Sequence, residues 1–355
     1  MKIVQVNVTC TAGSTGKICR AIGERLVARG DKSYILHVQA LADTENHIAY
    51  ATPSYIRAQA LRSRLLGNYG FNSRAATKRL IAHLERIKPD VIHLHSSKAG
   101  ILGRLAFPSK KVIYTVHGFD TVRLANRRFL FLEKIMQRFC RSIVAVSEYD
   151  RRNLLAENIN RNVTTVYNGT ASIAVAGDLS FGIPAKYKKT VLCIARVSYP
   201  KNSVLFMEVA KLLPQYAFVW IGNKEPMHDT PENVFFLGNI PNAAMYCSLA
   251  DVFMLPSEYE GLPIVIIEAM SFGKPVVASN VGGVSELVRN GVNGYALENN
   301  ANVFAEKISH ILENQQVYGK MSQSSTELYD SYFTVDKMVG GYKDVYNSLL
   351  GKESF

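Results

Sequence analysis

Several features are scarce or missing, and each absence excludes a class of protein. Cysteine is sparse: Cys10, Cys19, Cys140, Cys193 and Cys247 are scattered over 355 residues, odd in number and without a C-x-x-C pair. A disulfide framework or a structural zinc site is therefore disfavoured, and the thiols are expected to be reduced and mostly buried. No apolar run approaches the ~18 residues of a membrane-spanning helix. The apolar start, residues 1–8, is too short for a signal peptide, so the expected location is the cytoplasm. A G-x-G-x-x-G turn is missing after the first apolar run, where a nicotinamide-dependent dehydrogenase needs one. With 12 Pro and 24 Gly, 48% hydrophobic and 20% charged residues, the chain is neither disordered nor collagen-like.

Acidic residues are scarce in the first half. Residues 1–170 hold 27 Lys+Arg against 11 Asp+Glu, a balance of +16, while 171–355 holds 14 against 18, a balance of −4, which sums to the net +12. A basic half joined to a slightly acidic half suggests an anionic partner for the first half only: nucleic acid, an anionic membrane surface or a phosphorylated substrate.

Short apolar runs alternate with helix-like stretches. Strands are expected at 2–8, 33–38, 90–95, 111–117, 142–146 and 163–167, with a small-residue loop at 11–16 and a helix at 17–28. Residues 171–189, with two glycines, a proline and three lysines, resemble a linker. The pattern then restarts, with strands at 190–195, 217–221, 234–237, 251–255 and 275–279 and helices at 202–213, 242–249, 263–272 and 302–314. A final helix is expected at 335–350. Continuous apolar strands between helices indicate parallel sheets covered on both faces. The predicted fold is α/β, with two doubly wound Rossmann-like domains facing each other across a cleft: 1–172, a linker at 173–189, and 190–334, with the 335–355 helix packing back on the first. Ligands of such sheets sit outside the carboxyl ends of the strands.

The motifs gather at those ends. The loop 257–262 of Pro256-Ser-Glu-Tyr-Glu-Gly-Leu-Pro-Ile-Val-Ile-Ile-Glu-Ala-Met270 follows a strand and precedes a helix, where free N–H groups can bind an anion. Glu268 follows in an apolar run, costly to bury unless something such as a sugar diol hydrogen-bonds it; the alternative is a helix-face Glu that is exposed or paired with a lysine. Arg196 and Lys201, in Cys193-Ile-Ala-Arg-Val-Ser-Tyr-Pro-Lys201-Asn, lie on another such loop. They could neutralise a diphosphate, or be two solvated cations. Thr11-Ala-Gly-Ser-Thr-Gly-Lys17 departs from the P-loop at Thr11 and Ile18, so the magnesium-binding hydroxyl is missing and a nucleoside triphosphatase is disfavoured. Its glycines still permit close backbone approach to a ligand. His117, with Gly118 beside it, ends another strand and is either a ligand contact or a satisfied loop residue. His93 and His95 share a strand face without an evident third zinc ligand, and are expected to be structural or cleft-lining. The Gly-Gly turn in Asn280-Val-Gly-Gly-Val-Ser-Glu286 marks one more strand end.

Together these residues resemble the family 4 retaining glycosyltransferases of the two-Rossmann-domain GT-B type, over nearly the whole chain and most strongly at 190–290. Glu260-x7-Glu268 matches the family's E-x7-E motif and Arg196/Lys201 its R-x4-K pair. The Val-Gly-Gly-x-x-Glu stretch and Tyr167-Asn168-Gly169 match as well, and the G-S-T-G-K-I loop is similar to that of bacterial capsule and exopolysaccharide members. The chain departs from the family at Ala195 and Asn202, where Gly is usual, and in having Gly13-Ser-Thr-Gly16 instead of a Gly-Gly pair.

The resemblance implies a nucleoside-diphosphate sugar as donor, a UDP-sugar by preference. Arg196 and Lys201 would hold its diphosphate, Glu268 the ribose hydroxyls and Glu260 the transferred sugar. Gly16 would place an N–H at the distal phosphate, and His117 would contact the sugar near its 6-position. Leu262 would meet phosphate through its backbone, with Gly261 beside it in the donor-binding set, and the turn Gly238, Asn239 and Ile240 would meet the base. Glu260, His117, Arg196 and Lys201 would form the catalytic set. No cofactor and no metal is expected, since the two cations can serve the diphosphate and no D-x-D motif is evident. The acceptor would be a saccharide or a polyprenyl-diphosphate-linked saccharide of cell-surface polysaccharide synthesis, bound by the amino-terminal half.

Between Arg57 and Lys88, basic residues (Arg57, Arg62, Arg64, Arg74, Lys78, Arg79, Arg86) interleave with Leu61, Leu65, Leu66, Leu80, Ile81 and Leu84, which suits peripheral attachment to an anionic membrane face. A GT-B-fold UDP-sugar epimerase would lack the two signature motifs. A nucleic-acid-binding protein would explain the charge but not the acidic second half, so no nucleic-acid partner is expected.

Overall fold

The computed structural model describes residues 1–7, 13–37, 47–49, 74–124 and 127–351. Its contacts divide into two compact units: Met1–Gly169 with Val335–Phe355, and Thr170–Thr334.

Unit 1 begins with β1 (Lys2–Asn7), α1 (Gly13–Ala28), β2 (Lys32–His37), β3 (His47–Ala49), α2 (Arg74–Ile87), β4 (Val91–His95) and α3 (Ser97–Ala106). It continues through β5 (Val112–Val116), a single turn α4 (Asp120–Arg123), α5 (Arg128–Met136), β6 (Ser142–Ala145), α6 (Glu148–Ala156) and β7 (Val163–Thr165). The strands pair in parallel in the order β3-β2-β1-β4-β5-β6-β7. Every residue of β4 and of β5 is buried, because helices cover both faces; this is why these strands read as unbroken apolar runs.

Unit 2 repeats the plan. It holds β8 (Thr190–Ile194), α7 (Ser203–Leu212), β9 (Ala217–Ile221), β10 (Val234–Phe236), β11 (Val252–Leu255), α8 (Ile264–Ser271), β12 (Val276–Ser279), the turn α9 (Val284–Leu287), β13 (Gly294–Leu297), α10 (Ala301–Glu313) and α11 (Gln315–Leu328). Its parallel order is β10-β9-β8-β11-β12-β13. In both sheets the order reverses beside the first strand, between β1 and β4 and between β8 and β11. That reversal opens the crevice where such sheets bind ligands.

The last helix, α12 (Val335–Leu349), belongs to unit 1. Asp336 in its first turn takes hydrogen bonds from Arg25 of α1 and, at 2.8 Å, from Arg29 just after it. The Arg25 hydrogen bond pulls the Asp336 carboxyl down to about 2. Tyr342 and Tyr346 are fully buried, and the Tyr346 hydroxyl lies 2.8 Å from His93 Nδ1 on β4.

Four details differ from the sequence expectation. α1 starts at Gly13, not Lys17, so Gly13–Gly16 form its first turn instead of a loop. Residues Ala243–Leu249 wind as a 3-10 helix. β3, β13 and α11 were not expected; α11 is rich in Ser and Gln, which blurs its apolar stripe, but Asn314 caps it by accepting N–H bonds from Gln316 and Val317. Finally, most of the basic stretch beginning at Arg57 lies outside the described residues, and Leu84 at its end is buried in the core of unit 1 instead of facing outward.

A charged pair lies in the core of unit 1. Gly100 and Gly103 let α3 lie close on β5 and β4: a Cβ at these positions would meet the Tyr114 ring at 2.4 Å and Leu94 at 2.3 Å. One turn on, Arg104 is fully buried, stacks over the Tyr114 ring at 4.2 Å and makes two hydrogen bonds to Glu133 of α5, at 2.8 and 2.9 Å. Removing one partner of a buried pair strands the other charge, at a cost of about 3–5 kcal/mol. Arg104→Ala is therefore expected to destabilise the protein by about that amount, measured by urea unfolding; a loss below about 1 kcal/mol would contradict the pairing.

Candidate active site

In unit 2 the carboxyl ends of β8 and β11 carry the two motifs, and backbone contacts join their loops. After β8, Trp220 Nε1 donates to the Ala195 carbonyl at 2.7 Å. Gly222, at φ +124°, lies so close that a Cβ there would sit 2.4 Å from that same oxygen. Arg196 follows, exposed at the loop tip. The loop ends at Asn202, whose φ of +46° is left-handed and whose side chain caps α7 by accepting from Leu205 N at 3.1 Å. Glycine and asparagine both tolerate that conformation, which accounts for Asn where the family usually has Gly.

The loop after β11 is tied to this one. Glu258 N donates to the Pro200 carbonyl at 2.8 Å, and Asn202 Nδ2 donates to Glu258 Oε1 at 2.6 Å. Lys201 Nζ forms an ion pair with Glu260 Oε1, which also accepts from Ser257 Oγ at 2.7 Å. The two motifs thus meet: the lysine of one loop holds the first carboxylate of the other. The side chains of Lys201 and Glu260 are 18% and 10% exposed, so both stay within reach of a ligand.

A third loop braces the second from below. Gly282, at φ +58°, packs against the Glu260 backbone so tightly that a Cβ would come within 1.9 Å of its carbonyl oxygen, and Gly283 N donates to the Gly261 carbonyl at 2.8 Å. The Gly-Gly turn therefore supports Glu260. Pro263 stands immediately before α8, and its fixed φ leads the chain into the helix. Glu268 lies one turn into α8 and is 4% exposed. Leu262 is buried at 4%. At the end of β10, Gly238 turns at φ +80°, its N–H bonded to Asn223 Oδ1 at 2.8 Å and its carbonyl to Gly222 N at 2.7 Å, leaving Asn239 exposed and Ile240 partly so.

The remaining expected residues, Gly16 and His117, belong to unit 1. Gly16 is buried in the first turn of α1. His117 follows the end of β5 and shares a 3.1 Å hydrogen bond with His95 Nδ1 at the end of β4. Behind them the His93 ring lies tilted against His95 with ring centres 3.9 Å apart, and its two nitrogens meet Tyr346 and Thr115. His93 is structural, satisfied on both sides. A cavity of about 150 Å³ opens beside His117, lined also by Thr15, Ser96, Ser97, Tyr114 and Gly118. Burial lowers His117 to about 4 and His93 to about 3, and holds His95 well below its usual value. All three rings are therefore neutral at pH 7. They can exchange hydrogen bonds with hydroxyls but supply no positive charge.

The sequence pointed to none of Ser257, Asn223 and Gly222 as a support, whereas His95 was expected to be structural or cleft-lining. The only signals were the motif neighbours of Ser257 and the H-x-H spacing of His95.

The histidines make a pH prediction. Between pH 4 and 6.5 the unfolded chain binds more protons at His117 than the folded one, so stability rises with pH across that window, is fully present above 6.5, and is lost as pH falls through 4. In urea unfolding, His117→Asn should flatten that rise, by up to about 1.4 kcal/mol per pH unit. An unchanged slope would mean that the His117 ring is not depressed.

Comparison with known proteins places this geometry. The model of glycosyltransferase family 4 matches residues 15–171, and that of glycosyl transferases group 1 matches 180–328. The UDP-Gal:alpha-D-GlcNAc-diphosphoundecaprenol alpha-1,3-galactosyltransferase of Escherichia coli is 29% identical over 303 residues, 75% of this chain and 77% of that protein. The O-antigen biosynthesis glycosyltransferase WbnH of E. coli is 27% identical over 264 residues, 70% and 74% of the two chains. The crystal structure of Anabaena HepE with UDP and glucose superposes with a TM-score of 0.80 over 98% of this chain and 100% of that one, at 18% identity, which speaks to the fold. The chain belongs to the family 4 glycosyltransferases and has their GT-B fold.

Proposed function

We propose that this glycosyltransferase moves a sugar from a UDP-sugar to a hydroxyl of a saccharide or lipid-linked saccharide in cell-surface polysaccharide synthesis, with retention of the anomeric configuration. The observation that carries this is the meeting of Lys201 and Glu260 at the end of β8 and β11, directly before the amino terminus of α8. A cation, a carboxylate and a helix amino terminus at a sheet switch point suit a diphosphate flanked by two sets of hydroxyls. The galactosyltransferase relative, by its name, uses a UDP-sugar and a diphosphoundecaprenol-linked acceptor; HepE binds UDP.

In this proposal Lys201 leaves its ion pair with Glu260 to meet the diphosphate, which frees Glu260 to accept hydroxyl protons from the sugar. Arg196, exposed and unpaired among the described residues, adds a planar fork suited to phosphate. Leu262 and Gly261 offer backbone N–H groups, the turn at Gly238, Asn239 and Ile240 borders the base, and Glu268 takes the ribose hydroxyls. Gly16 keeps its implied contact with the distal phosphate. His117, neutral at pH 7, exchanges hydrogen bonds with the sugar.

The bond between the anomeric carbon and the phosphate oxygen breaks through an oxocarbenium-like transition state. The acceptor oxygen bonds to that carbon on the same face, and its proton passes to the departing phosphate oxygen. Negative charge grows on the leaving diphosphate, so fixed cations and helix N–H groups act most strongly at the transition state. A lipid-linked acceptor would bring the protein to the membrane surface as a peripheral protein. Among the described residues no helix is long and apolar enough to cross a membrane.

Glu268→Ala and Lys201→Ala should each abolish transfer while circular dichroism stays native. Near-normal turnover in either would refute the assignment. Arg196→Ala should lower kcat/KM by roughly 10²–10³-fold, because one preorganised group on the developing charge is lost. A thermal-shift panel of UDP, GDP and ADP should show stabilisation by UDP; a response to another base alone would change the donor. The anomeric coupling of the product by NMR tests retention.

A further inference from the structure

Unit 1 carries an exposed face that the function above does not use. α5 buries Leu130, Glu133 and Met136, on one side. Its other side turns Phe131, 72% exposed, and Ile135, 42% exposed, to solvent one helical turn apart. The chain then passes through a 3-10 turn, Gln137–Phe139, that leaves Phe139 41% exposed. Exposed Arg127 precedes this apolar row, and exposed Arg138 stands between Ile135 and Phe139. The following elements adjoin it: Lys134 pairs with Glu157 at 3.0 Å, Gln137 Nε2 donates to the Asn158 carbonyl at 3.0 Å, and Asn160 N donates to Gln137 Oε1 at 2.9 Å. Exposed Leu155, Arg152 and Arg161 flank those contacts in sequence.

The charge of this segment is one-sided. Residues 127–141 contain Arg127, Arg128, Lys134, Arg138 and Arg141 against a single acid, Glu133, and that acid is buried in its pair with Arg104. Single exposed apolar residues are ordinary, but a row of them rimmed by charge of one sign marks a contact surface. A convex helix face offers no groove for a peptide. A second copy of the same face would oppose arginine to arginine. An anionic bilayer meets both features at once, since aromatic and aliphatic side chains enter the boundary between headgroups and chains while arginines stay among phosphates.

We propose that the outer face of α5, with Phe131, Ile135 and Phe139 as the inserted row and Arg127 and Arg138 as its rim, docks this protein on an anionic membrane surface. This deepens the peripheral-membrane part of the proposed function by naming the surface that makes contact. It shifts that role from the stretch starting at Arg57, whose Leu84 is committed to the core.

Sedimentation of the full chain with phosphatidylcholine vesicles, and with vesicles containing about 30% phosphatidylglycerol, tests it. Binding is expected to the anionic vesicles only. Phe131→Ser/Ile135→Ser should weaken it at least tenfold, with melting temperature and transfer to a water-soluble acceptor unchanged. Arg127→Glu/Arg138→Glu should weaken it comparably, and Phe131→Trp should shift its emission to the blue when anionic vesicles are added. If the unmodified protein binds and both double variants bind equally well, the α5 face is overturned while peripheral attachment stands. If the unmodified protein binds neither vesicle, both fall. A dimer in light scattering that Phe131→Ser/Ile135→Ser dissolves would give the face to a second copy and overturn the proposal.

Discussion

Two close approaches between backbones control the site in unit 2. Gly222 lies against the Ala195 carbonyl and Gly282 against the Glu260 carbonyl, each nearer than any side chain would allow. Both sit at the carboxyl edge of the sheet, and each fixes the start of one motif loop. The ion pair between Lys201 and Glu260 spans two loops held in this way, so their backbones stay in place while the lysine side chain can still exchange partners. Trp220, buried and edge-on to Phe206 at 5.1 Å, adds a rigid donor to the same edge. Side chains therefore supply the chemistry, while glycines and main-chain hydrogen bonds set its geometry.

Unit 1 solves the equivalent problem differently. Its strand ends β4 and β5 present imidazoles, not salt bridges, and these are aligned by one another and by hydroxyls from β5 and α12. Burial keeps the rings uncharged, so this edge is polar without being ionic. One edge is ionic and the other polar but uncharged, although both sheets share the same strand order.

Much of this was legible in the sequence, for identifiable reasons. A parallel strand buried on both faces must be apolar throughout, so β4, β5, β8, β9, β11 and β12 stood out as runs. The spacings of Arg196 to Lys201 and of Glu260 to Glu268 marked strand ends, and their loops do lie together. What stayed hidden depends on distance along the chain. Nothing local links His93 to Tyr346, or Gly282 to Glu260. The first turn of α1 was hidden by glycine and small polar residues that read as loop. The outer face of α5 carried no signal of its own, because an apolar residue does not announce which side of a helix it will occupy. Leu84 shows the converse error, an apolar residue among cations that turned inward.

The placement of α12 has a consequence for how the molecule is made. Its tyrosines complete the hydrogen bonding of His93 and Thr115 in the middle of the first sheet, yet they follow residue 334 in the chain. During synthesis, then, His93 Nδ1 lacks its Tyr346 partner until the residues after 334 emerge, although Thr115 can already meet its other nitrogen. Residues 170–334, a contiguous segment, are complete before that: the unit begun first is finished last.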